Sequence, residues 1–165
     1  MIFEVDKEKH SITVKREFNT DVSTLWDAFT IPELLDKWWA PKPYQSKTKL
    51  MNFVEGGQRL YAMVGQTGEE HWGLTKYELV NPKSFYSGFD YFCDKDGNIS
   101  IELPQSKWET KLSSIENDKS LVEIKTTYND LTQLETIIRM GFKEGLTKTL
   151  EQLNEILTNE KTTNA

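Results

Sequence analysis

Cysteine and histidine are scarce in this chain of 165 residues, which contains one Cys and two His. The single thiol, Cys93, excludes an intramolecular disulfide and a cysteine-based zinc site, and it fits a reducing compartment. No apolar run approaches the ~18 residues of a membrane-spanning helix. Residues 1–10 mix charged with apolar side chains, unlike a signal peptide. We therefore expect a cytoplasmic protein with no membrane contact, no metal and no other cofactor.

An excess of basic residues is also missing. Acidic residues number 26 against 20 basic ones, which gives a formal net charge of −6. Nucleic-acid binding would require a basic patch, so we expect no nucleic-acid partner. Eight Phe, six Tyr and five Trp residues exclude disorder for most of the chain. The length and the lack of any linker predict one domain over residues 1–158, followed by a polar, disordered tail at 159–165.

Periodicity divides the chain into strands and helices. Residues 12–18 alternate between apolar and polar side chains, which predicts a half-buried strand. Two short helices follow, with Thr20 as the expected cap of the first and Pro32 in the first turn of the second. Between residues 44 and 128, about six strand-like runs are separated by turn residues. These patterns predict an antiparallel sheet of about seven strands.

The C-terminal region predicts one long helix. Thr132 and Glu135 have the spacing of a capping box. Apolar residues then recur at intervals of three and four from Leu134 to Leu157. Strands that are segregated from helices in this way indicate an α+β protein and not a parallel α/β sheet.

The block between Arg16 and Pro41 also carries a family resemblance. Its pattern is Arg16-x-Phe18, then Val22-x-x-x-Trp26-x-Ala28-Phe29-Thr30-x-Pro32-Glu33-x-Leu35-x-x-Trp38-Trp39-Ala40-Pro41. Gly56-Gly57, the run from Tyr77 to Pro82 and Gly141-Phe142 agree with it in order and spacing. Over residues 10–157 the chain resembles the heat-shock-protein-90 ATPase activator homologue family, within the START or birch-pollen-allergen-like (SRPBCC) superfamily.

This resemblance implies a helix-grip fold. In that fold a curved antiparallel sheet of about seven strands wraps around a long C-terminal helix, and two short helices follow the first strand. The fold at large is associated with apolar small molecules bound between sheet and helix. The family is named after a co-chaperone that has a further N-terminal domain. We expect no room for that domain in 165 residues, which weighs against a co-chaperone role.

Two helix glycines and a set of aromatic residues indicate where a ligand would bind. Gly141 and Gly145 lie four residues apart on one predicted helix face, where they either leave volume for a guest or allow close contact with the sheet. The aromatic residues either line a pocket or fill an ordinary core. The sequence does not decide which face of residues 59–63 and 85–92 points inward, because both faces of these strands are apolar. The candidate ligand-binding residues are Trp38, Trp39, Tyr44, Tyr61, Trp72, Tyr86, Trp108, Ile138, Gly141, Phe142 and Gly145.

Few residues fit a catalytic or metal-binding pattern, and we assign no catalytic residue. Glu69 could face the same side as His71 and form an acid–base pair with it, but the pattern there is typical of a hairpin end, which weighs against catalysis. Arg59, His71, Glu78 and Asp90 are the remaining candidates for a titratable cluster. The sequence therefore favours a binding protein for a small apolar or aromatic molecule over an enzyme.

Two other hypotheses stay open. The first is a chaperone-associated or stress-response interaction protein that binds no ligand. The second is an enzyme of the cyclase or hydrolase type that uses the same cavity. The oligomeric state is either monomer or homodimer, because no decisive self-complementary patch is visible.

Overall fold

The computed structural model describes residues 1–164, with side chains up to residue 160. The elements in chain order are β1 (Ile2–Asp6), β2 (Ser11–Phe18), α1 (Val22–Thr30), α2 (Pro32–Leu35), β3 (Gln45–Met51), β4 (Gln58–Val64), β5 (Glu70–Asn81), β6 (Phe85–Cys93), β7 (Ser106–Glu116), β8 (Lys119–Tyr128), α3 (Leu131–Arg139) and α4 (Phe142–Asn164). The strands form one sheet in the order β1-β2-β8-β7-β6-β5-β4-β3, with every neighbouring pair antiparallel.

This arrangement confirms the α+β helix-grip fold, with eight described strands in place of about seven. The additional strand is β1, which pairs with β2 from Ile2 opposite Lys15 to Asp6 opposite Ser11. Four of its five residues are exposed. Only Phe3 of this edge strand is partly buried, so the strand has no repeated apolar period, and this explains why the sequence pattern did not predict it.

The main core lies where α1 and α4 cover β2, β7 and β8. Its fully buried side chains come from the alternating inward positions of the strands and from one stripe of α4. They include Ile12, Val14, Leu25, Phe29, Val122, Ile124, Leu150 and Leu153. This core occupies one part of the space between sheet and helices, next to the cavity described below.

Both predicted helix caps are wrong by one or two residues. Asp21, not Thr20, caps α1, because its Oδ1 accepts a hydrogen bond of 2.8 Å from the Thr24 amide. Asp130 caps α3 in the same way, at 2.8 Å from the Gln133 amide. Thr132 lies inside α3, where its carbonyl accepts a hydrogen bond from the Thr136 hydroxyl. In both cases a carboxylate in an extended backbone conformation takes the capping role.

The predicted long C-terminal helix is present as α4, but the prediction that it begins near residue 132 is wrong, because the chain is broken at Gly141. This glycine has a φ of 91° and separates α3 from α4. A left-handed glycine is a common helix terminator, since residues with a Cβ are strained there. The apolar pattern runs through the break because both helices turn their apolar stripes towards the sheet. The predicted disorder of residues 159–165 stays a prediction: α4 extends to Asn164, and Ala165 and the side chains beyond residue 160 lie outside the described residues.

A buried glutamine fastens α4 to the loop that follows α2. The Oε1 of Gln152 accepts a hydrogen bond from the Lys42 amide at 2.8 Å. Its Nε2 donates to the carbonyls of Trp38 and Ala40 at 3.2 and 2.9 Å. Lys148 Nζ donates to the Lys42 carbonyl from one turn earlier. Buried amide groups that are fully bonded hold such a contact in one geometry.

We expect alanine substitutions at the two glycines near the helix break to change the free energy of unfolding in opposite directions. Gly141→Ala places a Cβ at a positive φ and lowers the free energy of unfolding by about 1 kcal/mol. Gly145→Ala meets nothing within 4 Å and raises it by about 0.5 kcal/mol through helix propensity. Urea unfolding followed by circular dichroism measures both values. Equal destabilisation by the two variants would contradict this assignment.

Candidate functional site

A cavity of about 300 Å³ lies between the sheet and the two C-terminal helices. Its floor comes from β4 to β8, its roof from α3 and the start of α4, and its rim from the loop after α2. The lining residues are Trp39, Pro41, Tyr61, Met63, His71, Trp72, Gly73, Asp90, Tyr91, Phe92, Pro104, Ser106, Trp108, Tyr128, Ile137, Met140, Gly141, Phe142, Gly145, Leu146 and Thr149. Most of these side chains are apolar or aromatic, which is typical of a small-molecule pocket.

Strand register brings one row of polar side chains across the sheet. Arg59 is paired with Thr75, Thr75 with Asp90, Asp90 with Ser106, and Ser106 with Tyr128. Residues directly opposite each other in neighbouring strands project from the same face. The three members Asp90, Ser106 and Tyr128 line the cavity.

Asp90 is the central member of this row. Its Oδ1 accepts a hydrogen bond of 2.8 Å from the Thr75 hydroxyl. Its Oδ2 accepts no hydrogen bond from the described residues. Burial raises the pKa of Asp90 to about 7, against the smaller opposing effects of the Thr75 hydroxyl and the Arg59 charge. The cavity therefore contains a carboxyl group that titrates near neutral pH.

Arg59 is buried at the end of the row, with 2% of its surface exposed. Its Nη2 lies 3.1 Å from Asp36 Oδ1, which completes an ion pair, and 3.1 Å from Ser46 Oγ. Its Nε donates to Thr48 Oγ1 at 3.2 Å. These partners lie on α2's end and on β3, so the guanidinium is used for structure and does not line the cavity.

The Arg59 guanidinium also supports two of the cavity walls. It lies 4.0 Å from the ring centroid of Tyr61 and 5.8 Å from that of Trp39. A Cβ on Gly73 would stand 2.7 Å from Tyr61 Cζ, so only glycine leaves room for this ring across β5. Stacking and close backbone approach together fix the position of the Tyr61 ring.

The Tyr61 hydroxyl and the Trp39 indole N–H in this wall both lie in unusual surroundings. Burial raises the pKa of Tyr61, with a further rise from Asp90, while Arg59 and the Trp39 indole oppose it. Trp39 Nε1 is buried and makes no hydrogen bond of normal geometry with the described residues. It is nevertheless close enough to the Tyr61 hydroxyl to affect its ionisation. A buried donor without a good partner can donate a hydrogen bond to an acceptor group of a bound ligand.

The opposite wall is built around Trp108. Its ring centroid lies 5.8 Å from that of Trp39 and 5.9 Å from that of Phe142 at the start of α4. Its Nε1 donates to Ser106 Oγ at 2.9 Å. Burial raises the pKa of Tyr128, which lies beside this wall, to about 12. Tilted and edge-on aromatic contacts of this kind give the cavity a defined shape.

Seven of the eleven predicted ligand-binding residues line the cavity: Trp39, Tyr61, Trp72, Trp108, Gly141, Phe142 and Gly145. For Trp72, alternation places the ring on the other face of the sheet, because Gly73 shares its face with Tyr61. Lys49 Nζ lies 5.8 Å from the Trp72 ring centroid. Trp72 thus borders the cavity only through its position in β5. For the other six lining residues, a direct contact with a ligand stays a prediction.

Four predicted residues lie outside the cavity walls. Trp38 belongs to the core, with 1% exposure and its Nε1 bonded to the Ala28 carbonyl at 3.0 Å. Tyr86 packs edge-on against Trp26 and Phe53 in a separate aromatic cluster. Tyr44 lies against His71, at 5.8 Å between ring centroids. Ile138 packs against the core and does not line the cavity, whereas Ile137, one residue earlier on α3, does.

The candidate titratable cluster does not assemble as a group. Glu78 lies away from the cavity, where Ser87 and Lys107 contact its carboxylate. His71 lines the cavity at its exposed rim, and Glu69 bonds to Thr67 in the predicted hairpin end. Asp90 alone reaches the interior of the cavity. The sequence already marked Asp90 as a candidate, since it is the one charged residue of β6.

No metal-binding group was found among the described residues: no three or more His, Cys, Asp or Glu side chains are placed to hold an ion. None of the helices within that part of the chain is long and apolar enough to cross a membrane.

An open antiparallel sheet covered by C-terminal helices around an aromatic cavity defines the helix-grip class. Within that class, the family described as Activator of Hsp90 ATPase homolog 1-like protein matches residues 19–158. The chain belongs to this family. The comparison with curated protein sequences found no match.

Solved structures show the same fold. A crystal structure of a Mycobacterium smegmatis protein is 23% identical, with a TM-score of 0.88 over 97% of this chain and 98% of that one. A solution structure from Arthrobacter aurescens is 25% identical, with a TM-score of 0.90 over 96% and 91%. Another from Staphylococcus epidermidis is 23% identical, with a TM-score of 0.82 over 94% of each chain.

The raised pKa of Asp90 predicts a definite pH dependence of stability. The folded state holds a proton that the unfolded state releases between about pH 4 and pH 7, so this carboxyl group lowers stability as pH rises through that range. Asp90→Asn removes the effect and raises the free energy of unfolding more at pH 8 than at pH 4. Urea unfolding at several pH values measures the change, and a carboxyl NMR titration gives the midpoint directly.

Asp94→Asn is the matched control. Hydrogen bonds from Asn98 lower the pKa of the Asp94 carboxyl, which lies in the turn after β6. Its contribution to stability is present at neutral pH and lost in acid, so its removal has the opposite pH dependence. An NMR midpoint of Asp90 near 4 would contradict the described environment.

Proposed function

We propose that this protein binds a small apolar or aromatic molecule in the cavity between its sheet and C-terminal helices. The observation that carries the proposal is the cavity itself, of about 300 Å³, with walls of Trp39, Tyr61, Trp108 and Phe142. Protein interiors are normally close-packed. An aromatic-walled space beside a fully packed core therefore supports a binding role.

The size of the cavity limits the guest. Ligand pockets commonly measure about 300–1,000 Å³, so this one suits a compact molecule with one or two rings better than a long acyl chain. Gly145 contributes to the volume, because nothing lies within 4 Å of the position that its Cβ would take. A guest that binds the folded chain and not the unfolded chain stabilises the fold in proportion to its affinity.

A second candidate is an acid–base enzyme in the same cavity, as a cyclase or hydrolase would be. The observation that favours it is Asp90, whose pKa burial raises to about 7, close to the value expected of a general acid or base at neutral pH. Its direct neighbours in the polar row, Thr75 and Ser106, are neutral hydroxyl groups, and neither is a second acid–base group. Binding without chemistry therefore remains the leading proposal.

A chaperone-associated role is the third candidate, and it rests on the description of the family alone. Binding to a chaperone would use an outer surface and would not require the cavity. A substitution that fills the cavity therefore separates this role from ligand binding.

The test is a binding screen on the purified chain and one cavity-filling variant. Thermal shift and NMR against neutral one- and two-ring aromatic compounds should show stabilisation of the wild type. Gly145→Leu places a side chain in the open space and should reduce binding at least tenfold, with a folded spectrum retained. Glu151→Leu adds the same side chain on an exposed position of α4 and should bind as the wild type does.

Two results would count against the proposal. One is the absence of any shift across the screen at millimolar concentrations. The other is equal binding by the wild type and Gly145→Leu, which would place the guest outside the cavity.

A further inference from the structure

The cavity walls have a pronounced charge asymmetry. Asp90 is the only carboxylic acid among the lining residues, and no lysine or arginine lines the cavity within the described part of the chain. His71 is the only other lining residue that can carry a charge at physiological pH, and it lies at the exposed rim. The helices that form the roof contribute Ile137, Met140, Gly141, Phe142, Gly145, Leu146 and Thr149, none of which is ionisable.

Arg59 is the cation that acts on Asp90, but it does not form an ion pair with it. Arg59 lies two strands away in the polar row, and it is already paired with Asp36 at 3.1 Å. Asp90 is bonded through Oδ1 to the Thr75 hydroxyl, while its Oδ2 receives no hydrogen bond from the described residues. The cavity thus offers a carboxylate oxygen to which no group of the described residues donates a hydrogen bond. A partly buried carboxylate is stabilised strongly by an opposite charge within a few Å.

The walls around this carboxylate suit a cation in a second way. The Trp39 and Trp108 rings line the cavity 5.8 Å apart between centroids, and the Phe142 ring lies 5.9 Å from that of Trp108. The faces of aromatic rings attract ammonium groups, and Trp does so most strongly. An anionic guest would instead be repelled by Asp90 and find no lysine or arginine in the walls.

We propose that the guest is a small aromatic amine, which binds as its ammonium ion with the charged nitrogen at Asp90 and its ring among Trp39, Trp108 and Phe142. This inference rests on the proposed function, since it names the ligand class of the same cavity. The ammonium donates hydrogen bonds to the carboxylate, and its ring replaces empty space. Recognition is non-covalent, and no bond is made or broken.

Binding of a cation should be coupled to a proton at Asp90. Because burial raises the pKa of this carboxyl to about 7, roughly nine-tenths of it is ionised at pH 8 and one-tenth at pH 6. Only the ionised form pairs with an ammonium ion, so the apparent affinity should fall about tenfold between these pH values. The titratable or charged groups that act on Asp90 or share its cavity are Arg59, Tyr61, His71, Tyr77, Tyr86 and Tyr128.

The experiment compares three probes of the same shape: 2-phenylethylamine, 2-phenylethanol and phenylacetate. Calorimetric titration at pH 8 should give an affinity for the amine at least tenfold above that for the alcohol, with phenylacetate weakest. Asp90→Asn should abolish the preference for the amine and retain binding of the alcohol, which also shows that the variant is folded. The pH series is repeated with His71→Asn, so that a charge at the rim cannot account for the tenfold fall.

The outcomes separate the two proposals. If the wild type binds the amine and the alcohol equally, or if Asp90→Asn keeps the preference for the amine, the amine inference is overturned and the proposed function stands. If phenylacetate binds most tightly, the inference is overturned as well. If none of the three probes binds and the neutral aromatic screen is also negative, both proposals fall.

Discussion

The ion pair between the buried Arg59 and the partly exposed Asp36 is the contact on which the cavity-bearing half of this molecule depends. It joins the end of α2 to β4, while Ser46 and Thr48 attach β3 to the same guanidinium. Loss of Asp36 would destabilise the fold, because the buried Arg59 guanidinium would be left without its carboxylate partner. Tyr61 also rests on Arg59, so the ion pair fixes an aromatic wall as well as three chain segments. Because Arg59 is paired with Asp36, it does not form an ion pair with Asp90.

Strand register then arranges the chemistry of the cavity. Side chains two residues apart on β4, Arg59 and Tyr61, project from the same face, and each has a counterpart in the strands beside it. In one row the counterparts are polar and end at Tyr128. In the neighbouring row Tyr61 lies opposite Gly73, which has no side chain to displace the ring. The cavity is therefore a consequence of which residues face each other across the sheet, not of any single motif.

The fold could be predicted from the sequence to a large extent, but the cavity walls only in part. Alternation and turns predicted the sheet, and the tryptophan-rich block predicted the family. Trp38 and Trp39 show the limit: these neighbours have the same chemistry, yet one fills the core and the other lines the cavity. The faces of residues 59–63 could not be distinguished, because Leu60 and Ala62 are also buried. Only the register and the position of the helices decide such cases.

The break at Gly141 divides the roof of the cavity into two parts that are held very differently. α4 is fastened by Gln152 to the loop after α2 and buries a continuous stripe of leucines. α3 has nine residues, of which Leu134 alone is fully buried. Local opening requires least free energy where few apolar contacts are lost. The α3 part of the roof is therefore the part that opens at the lowest free-energy cost, while α4 and the core beneath it are held more firmly.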